Sequence, residues 1–298
     1  MTYEIPGAIE ITPLSDSGSK VTLFHAASET SVEIYTFGAT VTSWRAHTGK
    51  NSLFLSEKAD LSGAQAIRGG IPIIFPQFGN GPLPAHGLAR NRDWELVLSE
   101  MGPHLPTTVK LKLESNHKTL AIWPHKFRAE YTISLDETLR TELEVTNTGD
   151  TDFSFQAALH SYFSIADIER VAISDLSTVT YIDKLAALEH KTENNSELRI
   201  SSETDRVYLN SPNTILVRDE TSGTGIAMEK SGFADAVVWN PWIEKSAGMK
   251  DLSADDFKKF VCVEAGQIDT PVTLAPGLNW IGIQELQRID LQPRWGEI

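Results

Sequence analysis

The stretch Thr108-Val109-Lys110-Leu111-Lys112-Leu113-Glu114 alternates without a break. In an extended chain Val109, Leu111 and Leu113 face one way, and Lys110, Lys112 and Glu114 face the other, which describes a half-buried strand. The same period-two pattern recurs through much of the chain. FRAEYTISL (127–135), TVTYID (178–183), TILVRD (214–219) and GIAMEK (225–230) repeat it, and RTELEVTNTGD (140–150) carries Leu143 and Val145 into a Gly-Asp turn signal. The persuasive helical start is LSADDFKK (252–259), where Ser253 is a candidate cap and Asp256 sits three residues on. Many strands with few helices between them predict an all-β protein, a large antiparallel β-sandwich. A single domain over residues 1–298 is expected, with the polar segment KLAALEHKTENNSELRI (184–200) as a long excursion.

The totals narrow the function. With 41% apolar and 22% charged residues the composition is that of a soluble globular protein. A formal charge of −14 and the lack of a basic run argue against nucleic acid and anionic membrane as partners. An anionic substrate would have to be held by a few local cations. The one cysteine, Cys262, excludes an intramolecular disulfide and a thiolate metal cluster, and the start MTYEIPGAIE shows no signal-peptide pattern. A cytoplasmic location is expected, and the NNS sequon at Asn194 is read as incidental. No exposed apolar strip stands out, so a monomer is expected. P-loop, dinucleotide and serine-elbow motifs are missing, as is any closely spaced histidine metal motif, so the expected reaction needs no cofactor and no metal.

Five segments carry residues suited to chemistry. In FSFQAALHSYF (153–163) Phe153, Phe155, Ala157, Leu159 and Phe163 share one side, while Ser154, Gln156, Ala158, His160 and Tyr162 form a small, polar row suited to lining a sugar-sized pocket. In KKFVCVEAGQ (258–267) an apolar run drives into Glu264 and is expected to stop at Ala265 and Gly266; a carboxylate so buried has a raised pKa suited to a general base. An ordinary strand-end glutamate paired with lysine is the alternative. LPAHGLARNRDW (83–94) offers His86, with Arg90 and Arg92 expected on one side as donor forks for phosphate. VVWNPWIEK (237–245) sets Trp239, Asn240 and Trp242 beside Lys245, indoles for sugar C–H surfaces and an asparagine for hydroxyls. AIRGGIPIIFPQFG (66–79) is too apolar for an exposed loop, and Arg68 heads it.

Together these segments, with LHSYF (159–163) and TDRVY (204–208), resemble in order and spacing the hexose-6-phosphate mutarotases, or glucose-6-phosphate 1-epimerases, of the aldose 1-epimerase superfamily. The resemblance spans nearly the whole chain. It implies the galactose-mutarotase-like supersandwich, His160 as catalytic acid and Glu264 as catalytic base, and Arg68, His86, Arg90 and Asp205 at substrate-binding positions. Ala85 departs from the family's usual glutamine, which puts one substrate contact in doubt. The implied substrate is a phosphorylated hexose, with Arg68 and Arg90 as the leading anion contacts and Lys245 a weaker one. Anomer exchange takes a proton from the C1 hydroxyl and gives one to the ring oxygen, tasks that suit a carboxylate and an imidazolium. In that frame Gly69 and Gly70 are expected to bring the backbone close to the ligand, with Pro72 and Pro76 stiffening the loop that presents Arg68. The competing expectations are an epimerase for neutral sugars and an idle sugar-binding protein.

Overall fold

The computed structural model describes residues 3–15, 18–46, 49–102 and 105–291. Strict alternation produces what it predicts. Thr107–Glu114, Phe127–Leu135 and Leu139–Asn147 are antiparallel neighbours whose odd-numbered side chains are buried and whose even-numbered ones are partly exposed. Among the described residues the strands form three antiparallel sheets of four, eight and nine strands. The four-stranded sheet is an N-terminal meander, Ile9–Pro13 through Thr40–Arg45. The nine-stranded sheet runs from Glu95–Glu100 at one edge to Glu197–Leu198 at the other.

The eight-stranded sheet holds the informative segments. Thr204–Tyr208 pairs with Asp235–Asn240, Asp235–Asn240 with Phe260–Leu274, and Phe260–Leu274 with Phe153–Leu159 and Tyr162–Ser164. Its two faces have different fates. Ala236, Val238, Val261, Val263 and Ala265 join Leu143, Val145, Met228 and Leu286 of the nine-stranded sheet in one apolar core. Val207, Val237, Trp239, Phe260, Cys262 and Tyr162 gather on the opposite face. Loops cover that second face, so all six residues of Asp235–Asn240 are buried, unlike a strand with one wet side.

Four local readings are corrected. The apolar run does not end at Glu264. Phe260–Leu274 continues for 15 residues, because Ala265 and Gly266 stay in register with Leu159 and Ala158, and the irregularity falls instead between Phe155 and Ala157 of the partner strand. The helix expected at 252–259 is a single 3-10 turn, Asp256–Lys258. There the Asp256 carboxylate accepts from the Ser253 N–H at 2.8 Å and from Lys259 Nζ at 2.9 Å, tying a loop down. The real helix in this region is Trp242–Gly248, which sequence reading missed. The excursion at 184–200 turns back on the preceding strand, with Glu189–Thr192 returning as the edge strand beside Thr180–Asp183. No helix among the described residues is long and apolar enough to cross a membrane.

Candidate active site

Alternation along Phe260–Leu274 sends Phe260, Cys262 and Glu264 to the covered face, and the register then selects their neighbours. Cys262 lies opposite Trp239 and Tyr162, Trp239 opposite Asp205, and Glu264 opposite Val237. His160 sits in the break between Phe153–Leu159 and Tyr162–Ser164, where the chain leaves the ladder for two residues. The result is a cleft of about 210 Å³ lined by Arg68, Phe78, His86, Arg90, His160, Lys184, Asp205, Val237, Trp239, Lys245, Met249 and Glu264. All six residues expected at the site meet there.

His160 Nδ1 lies 3.4 Å from Glu264 Oε1, and the two side chains are only 8% and 1% exposed. The imidazole stands where the bland reading of Glu264 required a lysine. His160 Nδ1 and Glu264 Oε2 have no hydrogen-bond partner among the described residues, so both keep capacity for a ligand. Burial pushes the Glu264 carboxyl well above the ordinary range; Asp205 adds to this, and Lys184 and Arg90 oppose it. Burial likewise drives the His160 imidazole well below its usual value, helped by His86, Arg90 and Arg68. At 3.4 Å the two groups titrate as a coupled pair, and with no ligand present the uncharged forms are favoured. Imidazole plus carboxylic acid carries the same single transferable proton as the imidazolium and carboxylate that suit the reaction. His86 is pulled down to about 3, by burial and then by Arg90, Lys184 and Arg68, so it is a neutral hydrogen-bonding group.

The cations are arranged unequally. Arg68 donates from Nε to Asp251 Oδ2 at 3.0 Å, with Nη2 2.9 Å from the same oxygen, and from Nη1 to the Tyr162 hydroxyl at 2.9 Å. Burial works against its charge, but Tyr162 and Asp251 outweigh that and hold it protonated. Arg90 donates to the Ala85 carbonyl at 3.0 Å, and burial lowers its pKa. Lys184 lies 3.3 Å from Asp205 and 5.1 Å from the centroid of the Phe78 ring. Lys245 is tied to Glu203 at 2.8 Å. Burial raises the pKa of Asp205, with Lys184 and Lys245 opposing. Among the described residues no group of three or more His, Cys, Asp or Glu side chains is arranged to hold a metal ion.

Several expected contacts fall elsewhere. Asn240 is wholly buried; its Nδ2 donates to the Phe257 and Phe260 carbonyls at 2.9 Å and its Oδ1 accepts from the Trp242 N–H, so it fastens loops instead of fixing hydroxyls. Trp242 packs on Phe257, and of the two indoles only Trp239 lines the cleft. Arg92 donates to the Asn91 carbonyl and is not a lining residue, because the 3-10 turn Ala89–Asn91 breaks the alternation that put it beside Arg90. Gln156 spans from the Ile268 carbonyl to the Phe78 N–H, anchoring a wall of the cleft rather than lining it. The α-carbons of Gly69 and Gly70 face protein backbone. With φ of +117° and +67°, a Cβ on either would lie 2.4 Å from the Phe54 carbonyl oxygen or 2.1 Å from that of Val41. Sequence reading missed Lys184, Phe78 and Met249. The available signal for Lys184 was its place directly after the strand Thr180–Asp183, next to the Thr204–Tyr208 strand that bears Asp205.

Comparison with known proteins identifies the family and the fold. The aldose 1-epimerase family matches over residues 19–287. A Cenchrus ciliaris protein named "Putative glucose-6-phosphate 1-epimerase" is 37% identical over 94% of this chain and 88% of its own length. An Escherichia coli protein of the same name is 33% identical over 76% of each. The crystal structure of a "putative mutarotase (YeaD)" from Salmonella typhimurium superposes with a TM-score of 0.88 at 27% identity, covering 97% of this chain and 96% of that one. The galactose-mutarotase-like β-sandwich expected from sequence is therefore the fold observed. With a family match across most of its length, and relatives above 30% identity along the same span, this chain belongs to the aldose 1-epimerase family.

Proposed function

We propose that the protein interconverts the α and β anomers of hexose 6-phosphates, chiefly glucose 6-phosphate, by acid/base opening and reclosure of the pyranose ring. The observation that carries this reading is the 3.4 Å approach of His160 and Glu264 inside a cleft rimmed by Arg68, Arg90, Lys184 and Lys245. The pair holds one proton to give and one site to receive. In one sense of the reaction Glu264 as carboxylate takes the C1 hydroxyl proton while His160 as imidazolium protonates the ring oxygen. The C1–O5 bond breaks and an aldehyde forms at C1. Rotation about C1–C2 turns the other carbonyl face toward O5, and reclosure returns each proton, so the pair ends as it began.

A bound phosphate dianion offsets Arg90 and Arg68, two of the cations that depress His160, and thereby favours the imidazolium; offsetting Arg90 also removes a cation that opposes the raised pKa of Glu264, so both members of the pair hold a proton more readily. The substrate's own charge thus helps to prepare the acid. Two-fold use of the cations, for binding and for tuning, favours a phosphorylated over a neutral aldose. The test is anomer exchange followed by NMR on glucose 6-phosphate and on galactose. A strong preference for the phosphosugar is expected, whereas equal rates would transfer the reading to neutral aldoses, and no exchange on either would leave a sugar-binding protein without the chemistry.

A further inference from the structure

The His160 ring is set by its neighbours more than by its own hydrogen bonds. Residues 160 and 162 fall on one side of the extended chain, and the Tyr162 ring lies parallel to the imidazole, with centroids 4.7 Å apart and planes 9° apart. Trp239 and His86 close in edge-on at 5.8 and 5.7 Å. Tyr162 is 1% exposed, and it is not itself a lining residue of the cleft. Its hydroxyl accepts from Arg68 Nη1 at 2.9 Å, and the same guanidinium is clamped by Asp251 from the loop that follows the helix Trp242–Gly248. Two of its five N–H groups are used in these hydrogen bonds, and Arg68 also lines the cleft.

We propose that Tyr162 is a positioning residue for His160, and that its hydroxyl, held by the Asp251-clamped Arg68, couples the cation side of the cleft to the proton-transfer pair. The proposal rests on the reading of the cleft given above. Its physical content is a chain of contacts, Asp251 to Arg68 to Tyr162 to His160, in which each member fixes the next. An imidazole that must reach a ring oxygen within hydrogen-bond distance tolerates little drift, and misplacement by about 1 Å costs on the order of 10² in rate. Arg68 therefore serves two ends. It lines the cleft, and its bonded N–H groups brace the histidine through tyrosine.

A double-mutant cycle on Tyr162→Phe and Asp251→Asn tests this, with kcat and KM measured on glucose 6-phosphate. Tyr162→Phe keeps the stack and the volume but removes the acceptor, and should lower kcat about tenfold while KM stays within about twofold. Asp251→Asn acts on the same guanidinium from outside the cleft and should lower kcat similarly. Because both cut one chain, the double variant should be little worse than either single one. Losses that multiply to about a hundredfold would overturn the proposal, as would an unchanged kcat in Tyr162→Phe or a loss carried by KM alone. If the wild-type chain turns over no hexose phosphate, the proposed function has failed, and the brace is read from the crystal structure of Tyr162→Leu. A His160 ring displaced by more than about 0.5 Å, the tolerance of a catalytic group, supports the brace, and a ring that holds its place overturns it.

Discussion

Glu264 and His160 are separated by more than a hundred residues, yet a single strand pairing brings them to 3.4 Å. Burial then acts on both in opposite senses, raising the acid and lowering the base, so the pair keeps one mobile proton without keeping charge. Replacing Glu264 by Gln preserves shape and hydrogen-bond capacity but removes the proton cycle. Anomer exchange measured by NMR is expected to fall by about 10² to 10⁴ with substrate affinity largely retained. The same variant has a stability signature. A carboxyl whose folded pKa is raised loses stability as pH climbs above its unfolded value of 4.5, whereas glutamine does not titrate. Melting curves should show Glu264→Gln gaining on the wild type as pH rises from about 4.5, and a constant gap across that window would contradict the raised pKa.

Elements place these residues through close backbone packing. The loop headed by Arg68 runs tight against two neighbours: Gly70 donates its N–H to the Phe54 carbonyl at 2.7 Å, and its α-carbon faces the Val41 carbonyl. Gly70→Ala combines a left-handed backbone with an unavoidable clash, and thermal or urea unfolding should report a loss of about 2–4 kcal/mol. Asn240 does comparable work at the end of Asp235–Asn240, satisfying two carbonyls and one N–H away from water. Asn240→Ala orphans all three groups, and a similar loss of about 2–4 kcal/mol is expected, accompanied by loosening of the Trp242–Gly248 helix that hydrogen exchange would detect. Neither role was legible in sequence. NPW looked like a sugar contact because asparagine and tryptophan serve both purposes, and only the partners distinguish them.

Across the whole molecule, the charges that matter most for stability are the buried ones. Lys230, in the strand Thr224–Ser231, is 3% exposed and donates to the Ser211, Phe233 and Ala234 carbonyls at 3.2, 2.9 and 3.1 Å. Burial lowers its pKa to about 8, partly countered by Asp235. For a lysine lowered from 10.5, the folded state disfavours the charged form, so the penalty is full below about 8 and fades as pH rises toward 10.5. Unfolding free energies of the wild type relative to Lys230→Met should therefore move in favour of the wild type over that interval. A difference that stays flat with pH would show that the three carbonyls hold the ammonium charged.

The alternation of Thr108–Glu114 and its repeats made an all-β sandwich unavoidable, since a period of two buries a face only in a sheet. The residue types at 160 and 264 were compatible with proton transfer without requiring it, since a strand-end glutamate paired with lysine was the alternative, and their roles came from the resemblance to the mutarotases. Partnership was decided by tertiary structure. That Asn240 binds carbonyls, that Arg92 turns away, that Gly69 and Gly70 abut protein and that Lys184 enters the cleft all depend on which strand lies beside which. Local sequence sets the face on which a side chain emerges, but what it meets there is fixed by register between segments far apart in the chain.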